Sequence, residues 1–313
     1  MRKLFRAFAV FFTIAIFLGT ALSPRAQGQT TASVTTVVTV LGPNYTPPPA
    51  VSKDDINLYE GKTKKEVGSW VPAQGDKAAL QLAIVIDDGT NSNIGLQFSD
   101  IKTFITNQPK STAVGLFYAS NGDVQPASQF STDHDAVAKT LRLPFGNFGA
   151  YSSIYLATMS LIKRWPEAPG TRREILLIAD GIDRFRGDPF SPDIQSTYET
   201  AEKAGVIIHT LYASGVGRLT HNMFRVNYGQ SNLAEITDKT GGESFFQGLQ
   251  TPIAFEPFLK QLDMILKNQY WLGWNTERPS KGKGQLRQFR IKTELKNVEI
   301  STADAVWVPG PPK

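Results

Sequence analysis

Apolar and polar positions follow three different rhythms along the chain. Residues 31 to 41 are rich in Thr and Val, which predicts a strand, and Pro43 to Pro49 then impose a turn-rich stretch. Ile56 to Tyr59 and Val67 to Trp70, separated by Glu60-Gly61-Lys62, read as a hairpin leading into the polar linker Gln74 to Lys77. From residue 80 the texture changes to short, continuous apolar runs alternating with helical patterns, as in a parallel sheet covered on both faces. The runs are Leu80 to Ile86, Thr112 to Tyr118, Glu174 to Ala179, Val206 to Tyr212 and Glu243 to Phe246, with a polar edge strand around Val124 to Phe130.

Helical spacing marks Phe98 to Ile105, Ile154 to Ile162, Ser196 to Ala204 before Gly205, Ser231 to Thr240 before Gly241, and the long stripe from Phe255 to Leu266. Three strands follow at Tyr270 to Trp274, Gln288 to Thr293 and Val298 to Ser301, with a basic loop, Arg278 to Lys283, that reads as a solvated hairpin tip. The predicted fold class is α/β: a doubly wound, mostly parallel, Rossmann-like sheet with small flanking β elements. Its divisions are 1–28, 29–79, 80–267 and 268–313, and the two β flanks are expected to form one unit.

The first division reads as a signal peptide. Arg2, Lys3 and Arg6 precede an apolar run from Ala7 to Leu22, and small residues follow near Gly28. An uncleaved anchor is disfavoured because the run is shorter than the roughly 20 residues that span a bilayer. Cleavage predicts export to the periplasm or the extracellular space, with no membrane span left. It also removes Arg2, Lys3, Arg6 and Arg25 and no acid, so the formal charge falls from +5 to +1. That near-neutral balance gives no electrostatic reason to expect a nucleic acid partner. The sequence has no cysteine, which excludes disulfides, thiol nucleophiles and cysteine metal sites.

Candidate chemistry sits at two strand tips. The first buried run ends in Asp87-Asp88-Gly89-Thr90-Asn91-Ser92-Asn93, and the run from Ile175 ends in Asp180-Gly181-Ile182-Asp183. The first loop lacks the G-x-G-x-x-G of dinucleotide binding and the Gly-Lys-Ser/Thr ending of a P-loop. Carboxylate, hydroxyl and amide oxygens are instead what hard cations prefer. Enzyme readings are thin: His134, His209 and His221 form no metal pair, there is no G-x-S-x-G elbow, and no catalysis is expected. His209 lies in a buried strand pattern and reads as a core histidine, His134 as part of a helix start. Tyr212 to Gln230 reads as a long loop over the same edge, either functional or an irregular insertion.

In these loops the chain resembles the von Willebrand factor A domain over roughly residues 80 to 267. That family places D-x-S-x-S after its first strand, a threonine in a later loop and an aspartate after the fourth strand. Further matches are Ile175 to Gly181, Ala204 to Thr210 and Leu233 to Phe246; the flanks Asp54 to Gly61 and Asn268 to Trp274 look like von Willebrand A-related proteins of acidobacteria. The resemblance implies a metal-ion-dependent adhesion site built from Asp87, Asp88, Thr90, Ser92, Ser152 and Asp180. Mg²⁺ is the expected ion, with Mn²⁺ or Ca²⁺ as alternatives, and the implied partner is a protein or other extracellular ligand that offers an acidic residue. Two registers compete: strand length favours Asp87 as the leading acid, whereas Asp88-Gly89-Thr90-Asn91-Ser92 keeps both hydroxyls. The alternative is a metal-independent structural or assembly module, in which these residues serve as helix caps and turn formers.

Overall fold

A computed structural model describes residues 31–147, 149, 152–188, 190–245 and 248–311. The signal-like segment 1–28, Tyr151 and Phe246 lie outside the described residues. The amino-terminal strands are β1 (Thr31–Leu41), β2 (Asn57–Glu60), β3 (Thr63–Lys65) and β4 (Ser69–Pro72). Those of the central sheet are β5 (Leu80–Asp87), β6 (Thr112–Ser120), β7 (Asp123–Ser131), β8 (Arg172–Ala179), β9 (Val206–Tyr212) and β10 (Ser244–Phe245). Among the described residues, the α-helices accompanying them are α1 (Phe98–Thr106), α2 (His134–Lys139), α3 (Ile154–Lys163), α4 (Pro192–Ala204), α5 (Met223–Thr240) and α6 (Glu256–Lys267). The carboxyl-terminal strands are β11 (Gln269–Glu277), β12 (Gly284–Gln288), β13 (Arg290–Lys292), β14 (Glu299–Thr302) and β15 (Ala305–Pro309).

The central strands lie in the order β10-β9-β8-β5-β6-β7, all parallel except β7, which runs antiparallel to β6. Side chains alternate along each strand, and both faces are buried. On one face Leu82, Ile84 and Ile86 of β5 pack with Ile101 and Phe104 of α1 and with Leu259 and Leu262 of α6. On the other, Ala83 and Val85 pack with Ala157 and Leu161 of α3, Ile194 of α4 and Leu233 of α5. The sheet is therefore doubly wound, as its uninterrupted apolar runs predict. Strand order reverses between β5 and β8, and open α/β sheets place ligands at the carboxyl edge of this switch point.

The flanks are paired with each other. β1 is sandwiched between β11 and β14, and β4 pairs with the other edge of β11. The expected hairpin differs in its partners: β2 pairs with β3 and β13, while Ser69–Pro72 leaves to join β11. Val34, Leu58, Leu272, Trp274 and Val308 form the core between these sheets. Glu60 stitches them together, accepting from Trp274 Nε1 at 2.7 Å and Thr276 Oγ1 at 2.8 Å.

One joint between the flank and the α/β body carries a titrating group. Glu202, at the end of α4, is buried and accepts a hydrogen bond from the Ala305 backbone. Burial first, then the negative charge of Asp304, push its carboxyl up to about 7. A folded-state value above the unfolded one means that the proton favours the fold, so this contribution is lost as pH rises through neutrality. Glu202→Gln should therefore flatten the fall in Tm between pH 5 and pH 8 and raise Tm at pH 8. An unchanged pH profile would contradict the assignment.

Candidate functional site

β5 ends at Asp87, and the backbone then tightens: Thr90 N donates to the Asp87 carbonyl at 2.9 Å, and Gly89 N to Asp87 Oδ1 at 2.8 Å. The loop is zipped to the one after β9, since Asn91 N donates to Ser214 O at 2.9 Å and Val216 N to Gly89 O at 3.0 Å. Asp180, just past β8, is buried across the switch point and accepts from Ile182 N at 3.0 Å. Asp87 is buried beside it. Burial, then the charge of Asp180, push the Asp87 carboxyl up to about 6, with Arg184 and the Gly89 N–H pulling the other way.

The structure places Asp87 and Asp180 beside each other, with Thr90 on the adjoining loop bridged to Gly215 and Ser152 next to the Arg184 loop, and it turns Asp88 and Ser92 away. Asp88 is buried but turned toward Arg142, whose guanidinium forks onto it at 2.7 and 2.8 Å. That guanidinium is stacked between the rings of Tyr118 and Phe145, 3.7 and 3.9 Å from their centroids. Ser92 is exposed at the start of a short 3₁₀ turn. Ser152 presents its backbone: its carbonyl accepts from Arg184 N at 3.2 Å and Phe185 N at 2.8 Å, while Ser153 caps α3. The registers led by Asp87 and by Asp88 thus diverge physically, because consecutive residues at a strand end point to opposite sides.

A divalent cation can be weighed against this donor set. Thr90 Oγ1 is buried without a hydrogen-bond partner among the described residues, which favours a ligand there. Against it, both oxygens of Asp180 are taken by the guanidinium of Arg184 and both oxygens of Asp88 by that of Arg142. Of the two acids at the switch point, Asp180 thus already carries a cation, Asp87 accepts from the Gly89 N–H and has the same guanidinium's charge nearby, and Asp88 is drawn off to Arg142, so as the chain stands the set does not fit a divalent metal. Sequence reasoning missed both arginines. Arg184 follows Asp180 by four positions, a spacing that marks a possible fork, whereas Arg142 lies 54 residues from Asp88 and carries no local signal.

Other expectations resolve simply. His209 is fully buried, with Nε2 2.8 Å from Glu174 Oε2 and Nδ1 accepting from Glu243 N at 3.1 Å. It is a satisfied core histidine. At the start of α2 the cap is Asp133, which accepts from Ala136 N, while His134 reaches Thr112 O at 2.8 Å. The segment expected as a long loop, Tyr212 to Gln230, is largely helical: Asn222 caps α5, so Phe224, Arg225 and Tyr228 lie on its first turns.

The rim of this edge is apolar. Among the described residues, every exposed large hydrophobic side chain except Val71 belongs to the loops or helix starts at the carboxyl ends of the strands. Ile253, Leu96 and Phe145 are the most open, at 97%, 80% and 73% exposed. Leu96 and Ile253 flank a cavity of about 650 Å³ that reaches Gly215 and is lined with polar groups from Asn93, Gln97 and Thr251.

No protein-family model matches the chain, and no curated protein matches it. Solved structures do. A von Willebrand factor type A protein from Catenulispora acidiphila is 8% identical, with a TM-score of 0.44 over 92% of this chain and 75% of that one. The manganese-loaded TRAP protein of Plasmodium vivax is 9% identical, with a TM-score of 0.42 over 80% and 98%. An aerotolerance-related membrane protein from Bacteroides fragilis is 11% identical, with a TM-score of 0.45 over 60% and 98%. At these values the likeness carries no argument about family, ligand or activity. The doubly wound α/β fold is read directly from the chain's own strand order.

Proposed function

We propose that this chain is an exported binding module that engages a protein ligand through the carboxyl edge of its central sheet, without breaking a bond. The observation that carries this reading is that, among the described residues, the exposed large apolar side chains lie at that edge with the one exception of Val71. Scattered surface hydrophobics need no explanation, but a cluster rimming one face marks an interaction surface. The cavity beside Leu96 and Ile253 has the size range of a ligand site, roughly 300–1,000 Å³. Its mixed lining suits a protein segment that inserts an apolar side chain and hydrogen-bonds along its length. Export rests on the signal-like segment 1–28 and places the partner in the periplasm or outside the cell.

A second reading, adhesion through a divalent ion as the sequence resemblance implies, is favoured by the orphaned hydroxyl of Thr90. It is opposed by the guanidinium on Asp180. The two readings share the edge and differ in what holds the ligand.

Photo-crosslinking in the native host tests the proposal. A crosslinking residue at Phe145 or Ile253 should give a discrete protein adduct, while one at Val71, an exposed apolar position on the flank, should give none. Equal adducts from all three positions, or adducts from Val71 alone, would contradict it.

A further inference from the structure

Three loops meet at the switch point, and a positive charge lies among them. Arg184 reaches back to Asp180, with Nη1 3.0 Å from Oδ1 and Nη2 on Oδ2, while Nη1 also donates to the Ile182 carbonyl at 3.2 Å. Its side chain is only 8% exposed. Burial works against its charge, but Asp180 and Asp87 outweigh this and hold the guanidinium above its usual pKa. The third loop makes room. A Cβ at Gly215 would lie 2.3 Å from Asp180 Oδ2 and 2.6 Å from Arg184 Nη2, so any larger residue would dislodge the pair.

We propose that Arg184 is the built-in cation of this site: its guanidinium serves Asp87 and Asp180 in place of a divalent ion and keeps such an ion out. Two buried acids at one point need positive charge nearby, and a guanidinium supplies it permanently, in a planar fork that matches a carboxylate. An incoming divalent ion would have to take oxygens from that fork while bearing like charge against it in a poorly screened interior. The open coordination position through which an adhesion site grips an acidic ligand is then absent by construction. This inference stands on the switch-point geometry alone and holds whatever docks on the apolar rim.

The test uses Mn²⁺ as probe, followed by its electron paramagnetic resonance and by thermal melting of the full mature chain. Wild type should leave the free Mn²⁺ signal unchanged at millimolar metal and melt at the same temperature as in EDTA. Arg184→Ala should bind Mn²⁺ and recover Tm when the metal is added, and adding Asp180→Asn should abolish both effects. Arg184→Gln, which fills most of the space without the charge, carries the same test if the alanine variant does not fold. A wild-type Tm that rises with Mn²⁺ would overturn the inference, as would a folded Arg184 variant that remains blind to the metal.

Discussion

Arg172→Ala is expected to lower the stability of the fold by about 3–5 kcal/mol, the usual cost of removing one partner from a buried charged network. Arg172 is 4% exposed at the start of β8. Its Nη2 donates to Ala78 O at 2.9 Å and its Nη1 to Leu266 O at 2.8 Å and to Gln269 Oε1. Ala78 lies two residues before β5 and Leu266 in the last turn of α6, so one guanidinium ties together the two points where the chain passes between body and flank. Glu174, fully buried, stands 3.9 Å away and receives His209 Nε2 and Gln269 Nε2 on its other oxygen. Without Arg172, two carbonyls and a carboxylate are left in the interior with fewer donors. Arg172→Lys should restore only part of the loss, because an ammonium cannot span both carbonyls in one plane. Urea unfolding at neutral pH is the measurement. A loss below about 1 kcal/mol, the scale of an exposed pair, would show that the network contributes little.

The second large effect is expected at Arg184. In EDTA, Arg184→Ala should cost about 3–5 kcal/mol, since Asp180 keeps a buried carboxylate whose two oxygens lose their fork. Asp180→Asn should be costly for the converse reason. The double variant should then be far less destabilised than the two single losses added together, because most of each is the uncompensated partner. Additive losses would mean that the two residues act separately, against the geometry.

Much of the fold was legible because its determinants are local. Buried parallel strands announce themselves as unbroken apolar runs, and each of those read from the sequence became a strand of the central sheet. Glycine stops at Gly205 and Gly241 mark helix ends, and both residues adopt left-handed conformations there. What escaped depends on distant partners. The start of α5 contains Gly229, and its apolar residues Met223 and Phe224 are exposed while Val226 is buried, so no single apolar face marks it. Gly229 is there for packing: a Cβ would fall 2.5 Å from the Asp180 carbonyl. The cap at Asn222 was the available signal. Likewise, nothing in Ser69–Pro72 says that it pairs with β11, about 200 residues later, in preference to its neighbour β2.

The site shows the same division. Strand tips placed Asp87 and Asp180 at the switch point, because apolar runs end where acids begin. The charges that neutralise them were not legible from motif spelling. Asp88 and Thr90 look like consecutive ligands in D-x-T-x-S, yet the backbone turns Asp88 to Arg142 and buries Thr90 against Gly215. A motif records which atoms are available and is silent on which way they face. The same loops that resemble an adhesion site thus close on guanidinium groups, while the apolar rim above them stays open.

The most direct test of this account is a crystal of the mature protein soaked in Mn²⁺ and measured at a wavelength where manganese scatters anomalously. Density for the Arg184 guanidinium is expected against both oxygens of Asp180, with no anomalous peak between Asp87 and Asp180. A manganese peak at that position, with Arg184 swung out, would contradict it.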